Sequence, residues 1–153
     1  MKLVLFVTTL LFATVVSAFD QIYLNRLLKT NICHHCTLND ADLSGKDLTG
    51  ADLSESNLKG INLSNATLVG AWFTHSRVHG ANLEGADLSN TLLDYSVFDG
   101  ANLKNTNLTG AQMIFTDLTN ADLTGAKMDE AVQRGITYCN TTMPDGTMNN
   151  SGC

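Results

Sequence analysis

Two cysteines and two histidines stand together in the run Cys33-His34-His35-Cys36, whose side chains can form a disulfide, exchange electrons or bind a metal. A redox Cys-x-x-Cys is typical of a helix N-terminus in a βαβ unit, and no such pattern follows here. A zinc site needs a second half-motif, which the sequence lacks, and adjacent side chains rarely converge on one ion. A structural disulfide is therefore favoured, with a redox or metal-binding module at Cys33–Cys36 as an alternative.

Other chemistry finds little support in the sequence. It contains no Gly-x-Ser-x-Gly, P-loop or His-Glu-x-x-His motif. The remaining histidines, His75 and His79, are spaced for one face of a helix, but they fall on different sides of the repeat described below. We therefore expect no enzyme activity, no cofactor and no resident metal.

Composition predicts a single acidic domain. The chain has 153 residues, of which 44% are apolar and 16% are charged, and its formal net charge is −6. Such a charge disfavours nucleic acids and anionic lipids as partners, because both would repel the protein. The expected partner is another protein or a second copy of the chain.

The first 18 residues are typical of an export signal. Lys2 precedes an apolar run over residues 3–16, which ends in Val16-Ser17-Ala18. A spanning helix needs roughly 20 apolar residues, and this shorter run is followed at once by polar sequence. We predict a signal peptide, residues 1–18, that is removed during export and leaves no membrane anchor. An uncleaved membrane helix is the alternative.

Residues 20–30 are predicted to form a short helix. Asp20 is placed to cap it, and four apolar residues are spaced to form one side: Ile22, Leu24, Leu27 and Leu28. A helix of this length is marginally stable alone, so its apolar side should pack on the open end of the repeat array that follows it.

Residues 36–130 divide without a break into units of the form Ala-(Asp/Asn)-Leu-x-(Gly/Asn), such as 41–45 and 81–85. The 95 residues make 19 units of five, and every central position is apolar. Five residues do not fit a helical stripe, and an odd period would swap the faces of a strand at each unit. The pattern instead predicts a solenoid of short straight sides joined by corners, each coil buried against its neighbours.

The last position of each unit counts the sides of a coil. Inside the array this position is Gly or Asn except at four residues spaced 20 apart: Glu55, His75, Tyr95 and Phe115. Four sides per coil explain that spacing, and 19 units then make about 4.75 coils. We call the corner that carries these residues the fourth corner. The side that precedes it, with Asp52, Trp72, Leu92 and Gln112 facing outward, is the fourth side.

These units resemble those of the pentapeptide repeat proteins. The resemblance covers residues 36–130, with departures at Trp72-Phe73, Arg77-Val78 and Leu92-Leu93. It implies an all-β solenoid, a right-handed quadrilateral β-helix. Exported members similarly carry a short helix, a Cys-x-x-Cys before the first unit and a Cys-containing tail, and the expected compartments are a periplasm, a thylakoid lumen or the extracellular space. The family implies no common biochemical role.

The stack bears on the pairing of the four cysteines, which allow three connectivities. Cys33 and Cys36 lie at the first coil, whereas Cys139 and Cys153 follow the last. Because disulfide Cα atoms lie within about 7 Å, pairing across the stack would require the tail to run back along it. We favour Cys33 with Cys36 and Cys139 with Cys153.

The fourth side and fourth corner form the candidate partner surface. They place apolar and aromatic groups where the other sides carry polar ones: Trp72, His75, Leu92, Tyr95, Ile114 and Phe115. Exposed apolar groups with a polar rim often mark a protein interface. The alternative is that these large side chains only stack on one another and support a corner that lacks glycine.

The predicted organisation has four parts: a signal peptide (1–18), a capping helix with the Cys-x-x-Cys (19–35), the β-helix (36–130) and a C-terminal cap (131–153). The favoured function is a non-catalytic, exported structural or protein-binding module. A DNA-mimic inhibitor of a type II topoisomerase is an alternative, which the neutral residues between stacked acids disfavour. The redox or metal-binding module is the other.

Overall fold

The computed structural model describes residues 18–153, with side chains from residue 21. The predicted signal peptide lies outside the described residues, apart from Ala18. No helix within residues 18–153 combines the length and the apolar composition that a membrane crossing requires.

The chain enters the fold through helix α1, Ala18–Thr30. Asp20 lies inside this helix rather than at its N-cap, so that prediction was wrong. Leu27 is buried in the core, with Tyr23 and Leu24 packed beside it. The prediction that Ile22 and Leu28 join this face was also wrong. At about 100° per residue they lie roughly 140° and 100° from Leu27, and both stay exposed.

Beyond α1 the backbone winds into stacked, four-sided coils. Outward residues 20 positions apart form parallel bridges, beginning with Ile32–Asp52 and ending with Asp122–Thr142. Four bridges occur in each period, for example Asp52–Trp72, Asn57–Arg77, Asn62–Asn82 and Thr67–Asp87. The stacked backbone therefore reaches beyond residues 36–130 in both directions. Among the sides of the coils in the described part of the chain, one pair extends into three-residue strands, β1 (Gln112–Ile114) and β2 (Val132–Arg134), which pair in parallel.

In most units the central residue and the small residue two positions earlier fill the interior of the coils. Phe73 and Phe98, the largest side chains in this core, lie with ring centroids 6.2 Å apart. Each coil is too thin to bury its own interior, so the hydrophobic free energy comes from stacking, as in other solenoids.

The outward Asp or Asn of a unit closes the corner that follows it. Asp47 Oδ1 accepts hydrogen bonds from Thr49 Oγ1 at 2.7 Å and from the Thr49 backbone N–H at 3.1 Å. These bonds from the side chain and then the backbone of Thr49 lower the pKa of Asp47. The corner residue next in the chain, Gly50, has a φ of +67°, a backbone conformation that glycine and asparagine tolerate best.

The C-terminal segment pairs with the last coil and then turns back on itself. The Thr142 N–H donates to Ala121 O at 2.9 Å. Strand β3 (Thr141–Thr142) then pairs antiparallel with β4 (Met148–Asn149). Residues 143–146 make the connecting turn, in which the Gly146 N–H donates to Met143 O at 2.9 Å. This hairpin holds the tail against the C-terminal end of the stack.

Candidate functional site

The fourth corner forms a continuous column of side chains. His75 and Tyr95 stack with ring centroids 4.9 Å apart at 12°, and Tyr95 and Phe115 stack at 5.4 Å and 24°. The column also includes two residues beyond the predicted series, His35 at its N-terminal end and Gly135 at the other. All of its members have a positive φ, between 53° and 66°.

The fourth side lies directly beside this column. Trp72 forms parallel bridges with Asp52 and Leu92, and Leu92 with Gln112. Trp72, Tyr95 and Phe115 are 50%, 49% and 54% exposed. The structure therefore places the six candidate residues on one side and its adjoining corner. His75 is also exposed, whereas Leu92 and Ile114 are half-buried.

A ladder of buried hydroxyls underlies this corner, and the sequence analysis missed it. Immediately after the corner residues Glu55, His75, Tyr95 and Phe115, where most other units carry Ala, the chain has buried hydroxyls, all at most 2% exposed: Ser56, Ser76, Ser96 and Thr116. Ser76 Oγ donates to Leu53 O at 2.6 Å and accepts from the Ser56 N–H at 3.4 Å. The same 20-residue spacing that revealed the corner also marks this ladder in the sequence.

Gly135 completes the column because Phe115 leans over it. A Cβ atom at position 135 would lie 2.6 Å from Cδ1 and Cε1 of the Phe115 ring. The ring therefore occupies the space that any other residue at this corner would need. The sequence analysis did not identify Gly135 as part of this column.

The cysteines form two disulfides, Cys33–Cys36 and Cys139–Cys153, with Cα atoms 5.3 Å and 4.8 Å apart. These are the two bonds that the sequence favours. Cys33 and Cys36 are 0% and 1% exposed, so the first bond lies in the core of the initial coil. Thiol–disulfide exchange requires access to the sulfur atoms, and this burial argues for a structural bond.

The two histidines between these cysteines converge on a residue from the next coil. His34 Nε2 lies 3.9 Å from Glu55 Oε1, and His35 Nδ1 lies 3.4 Å from Glu55 Oε2. The two imidazole centroids are 4.0 Å apart. One ligand atom from each of the three residues lies within 4.8 Å of the others. The four-residue run alone does not predict this cluster, because its third member, Glu55, lies 20 residues beyond His35 in the sequence.

The polar sides differ from the fourth side in composition and in bonding. On the side opposite, amides separate the acids: Asn62 Nδ2 donates to Asp42 Oδ1 at 3.0 Å, and Asn102 Nδ2 donates to Asn82 Oδ1 at 3.2 Å. Each amide bridges two coils, which avoids direct stacking of like charges. This side therefore presents an amide ladder rather than a row of carboxylates.

Comparison with known proteins identifies the repeats. The family model for pentapeptide repeats matches eight copies over residues 32–70, 51–90, 71–110 and 96–132. Comparison with curated proteins gave no match.

The solved structures that share the fold include two from cyanobacteria. HetL from Nostoc sp. strain PCC 7120, a pentapeptide repeat protein involved in heterocyst differentiation regulation, is 28% identical, with a TM-score of 0.76. That match covers 77% of this chain and 55% of HetL, so this chain spans about half the length of that relative. Rfr23 from Cyanothece 51142 is 28% identical over 80% of this chain and 98% of its own, with a TM-score of 0.77. The stacked coils are thus a right-handed quadrilateral β-helix, and the chain belongs to the pentapeptide repeat family.

Proposed function

We propose that this chain is an exported, non-catalytic module that binds another protein through the fourth side and the fourth corner. The observation that carries the proposal is the half-exposure of Trp72, Tyr95 and Phe115 on one continuous surface. Aromatic side chains supply much of the binding energy at protein interfaces. The outward positions of the other sides are mostly Asp, Asn and Thr, so the fourth side and the fourth corner differ from them in carrying large apolar side chains.

The ring column supports both the corner and a binding role. Stacking of His75, Tyr95 and Phe115 stabilises the corner, yet about half of the Tyr95 and Phe115 surface remains open to solvent. Because each ring is already held by its neighbour, a partner would immobilise few additional rotamers on binding. Such preorganisation lowers the entropic cost of an interface.

A depression beside the column offers a place for a partner side chain. Glu55, Ser56, His75 and Arg77 line this open space of about 510 Å³. Its rim carries both an acid and a base, which favours polar contacts at the edge of an apolar patch. The buried hydroxyls of Ser76 and Thr116 donate to backbone carbonyls, which supports a structural rather than a catalytic role for them.

Export and the four-part organisation belong to the same proposal. The signal peptide would be residues 1–18, the N-terminal cap 19–35, the β-helix of about 4.75 coils 36–130 and the C-terminal cap 131–153. The two disulfides support this assignment, because such bonds persist in oxidising compartments. Mass spectrometry of the protein from its native compartment should find an N-terminus at Phe19, and an intact Met1 would contradict cleavage.

Affinity capture tests the binding surface. Wild-type protein, the double variant Trp72→Ser/Tyr95→Ser and the control Met148→Ser are immobilised, and proteins bound from the native compartment are quantified by mass spectrometry. Met148 is 58% exposed in the C-terminal hairpin, so its replacement removes a similarly exposed apolar side chain away from the surface. We expect the principal partner to be lost from the double variant alone.

Self-association is distinguished by sedimentation velocity of the purified proteins. A dimer that dissociates in the Trp72→Ser/Tyr95→Ser variant would identify a second copy of the chain as the partner. Equal capture by all three proteins, together with an unchanged oligomeric state, would contradict the proposal. Thermal unfolding of each variant shows whether the surface change leaves the fold intact.

A further inference from the structure

We infer that His34, His35 and Glu55 form a binding site for a divalent transition-metal ion such as Zn²⁺. The site lies at the N-terminal end of the fourth corner, where His35 and Glu55 precede the stacked rings, and the inference does not rest on the proposed function. It starts from the distances already given, in which both histidines face the same carboxylate across two coils. Two imidazole nitrogens and a carboxylate oxygen are ligands that zinc prefers.

A hydrogen-bond relay orients His34 for this role. Ser54 Oγ donates a hydrogen bond to Asp52 Oδ1, and it lies 2.9 Å from His34 Nδ1. Because the Ser54 proton is directed at Asp52, its oxygen accepts from His34 Nδ1–H. Nε2, the atom nearest Glu55, is then left with its lone pair. Histidine ligands of metals commonly donate their other ring N–H to a partner in this way.

The backbone that carries both histidines is fixed before any ion binds. Cys33 and Cys36 flank the pair and are joined in the core of the first coil. Arg26 from α1 donates to His34 O at 3.0 Å, which ties the helix to the same corner. A ligand set held by a rigid support loses little conformational entropy on binding.

The corner geometry explains how adjacent residues converge. His35 has a φ of +56°, inside the range of 53° to 66° found along this column, and this turn brings its imidazole beside that of His34. Glu55 follows 20 residues later at the same corner, one coil away. Three protein ligands leave at least one coordination position for water or for a group from a partner.

Isothermal titration of the disulfide-bonded protein with ZnCl₂ at neutral pH tests the site. We expect one zinc ion per chain, and no binding of Mg²⁺ or Ca²⁺, which prefer oxygen ligands. His35→Asn and Glu55→Gln should each weaken zinc binding at least about tenfold. Loss of a residue that only hydrogen-bonds to a ligand already weakens metal affinity by about that factor, and loss of a ligand itself should cost at least as much.

His79→Asn is the matched control. His79 Nδ1 lies 3.8 Å from Asp99 Oδ2, and the two side chains are about as exposed as those of His34 and Glu55, but they offer only two ligands. Zinc affinity should be unchanged in this variant. Circular dichroism and intact-mass measurements establish that every variant is folded and that its disulfides remain closed.

Imidazole ¹⁵N spectra identify the bound atoms independently of affinity. Zinc should shift Nε2 of His34 and Nδ1 of His35 while leaving His75 and His79 in place. Equal affinity in wild type, His35→Asn and Glu55→Gln would overturn the inference. Binding that appears only after reduction of Cys33–Cys36 would also overturn it, because the ligands would then be the thiolates.

Discussion

At the scale of single residues, the corners of neighbouring coils are not independent. The side chain at one corner leans over the corner 20 residues later, so a Cβ at Gly85 would lie 2.6 Å from Asn65 Oδ1. The same relation holds between Asn90 and Gly110. At these corners the leaning side chain occupies the space that a Cβ atom 20 residues later would need, and Phe115 with Gly135 is the aromatic case.

Gly135→Ala should destabilise the protein more than Gly80→Ala. Both glycines have a positive φ, 66° and 59°, for which an L-residue costs about 1–2 kcal/mol. A Cβ at Gly80 meets nothing within 4 Å, whereas one at Gly135 displaces the Phe115 ring. Loss of the stacking contact should add about 1 kcal/mol.

Urea unfolding of the two glycine variants measures this difference, and near-UV circular dichroism reports the disturbed rings in Gly135→Ala. Equal losses of stability in the two variants would show that the backbone conformation, and not contact with Phe115, explains the glycine.

The hydroxyl ladder gives a second residue-scale prediction. Ser76→Ala leaves Leu53 O and the Ser56 N–H without the bonds described above, and a buried unsatisfied group costs about 1–3 kcal/mol. Alanine is the usual residue at this position of the repeat, so a repeat consensus would predict no loss. Chemical denaturation should nevertheless show a loss of about 1–3 kcal/mol in the free energy of unfolding.

Ser96→Ala provides the matched control in the same ladder. Ser96 Oγ donates to Leu93 O, but that carbonyl also accepts from the Ser96 N–H at 3.2 Å and from Thr116 Oγ1 at 2.9 Å. Because both of those bonds survive the substitution, the loss should be smaller than in Ser76→Ala. A larger loss in Ser96→Ala would refute the role assigned to the Ser76 hydroxyl.

At the scale of elements, the outward acids stabilise the corners by accepting hydrogen bonds from the residue two positions later. The side chain and backbone of the residue two positions later lower the pKa of Asp42 and Asp47 from the ordinary 3.8, and the same two kinds of bond lower the pKa of Asp145 in the C-terminal hairpin turn. Since the folded pKa lies below the unfolded value, these carboxylates stabilise the fold fully at pH values above 3.8. Their contribution is lost as the pH falls through the lowered values.

Asp42→Asn/Asp47→Asn should therefore weaken the acid dependence of stability. An asparagine at this position still accepts the backbone bond, as Asn62 does from the Ser64 N–H at 3.2 Å, but it does not titrate in this range. Denaturation at a series of pH values should give a shallower decline below pH 3.8 than in wild type. The same decline in both proteins would mean that other carboxyl groups are responsible.

The elements also show where sequence reasoning reaches its limit. The period of Glu55, His75, Tyr95 and Phe115 predicts four sides because every coil repeats the same covalent length. The packed face of α1 was harder to predict, since a 13-residue helix with apolar groups around much of its circumference does not define one side. The structure buries Leu27 in the core, with Tyr23 and Leu24 beside it, and this choice depends on where the first coil lies against the helix.

At the scale of the whole molecule, stacking joins residues that are distant along the chain. The sequence did not predict the proposed metal site for this reason, because Glu55 reaches His34 and His35 only after one full coil has been completed. The hydroxyl ladder was detectable from its spacing, but its bonds depend on which carbonyls the corner leaves unpaired. The six residues of the candidate partner surface could be grouped from the sequence, because the 20-residue spacing alone shows which positions share a side or a corner.

The opposing sides give the molecule two different surfaces. One presents amides that bond from coil to coil, and the other presents Trp72, Tyr95 and Phe115 with half of their area open. The interleaving of amides with acids does not reproduce the continuous charge of a nucleic-acid backbone. The proposed protein interface on the candidate partner surface would use these exposed aromatic residues, which distinguish this chain from a uniform repeat.

Site-specific photo-crosslinking tests that interface most directly. A photoreactive amino acid is placed at Tyr95, or at Asn102 on the opposite side as the control, and the protein is irradiated in its native compartment. We expect one dominant protein adduct from position 95, either with another protein or with a second copy of the chain, and none from position 102. No adduct at position 95, or the same adducts from both positions, would contradict it.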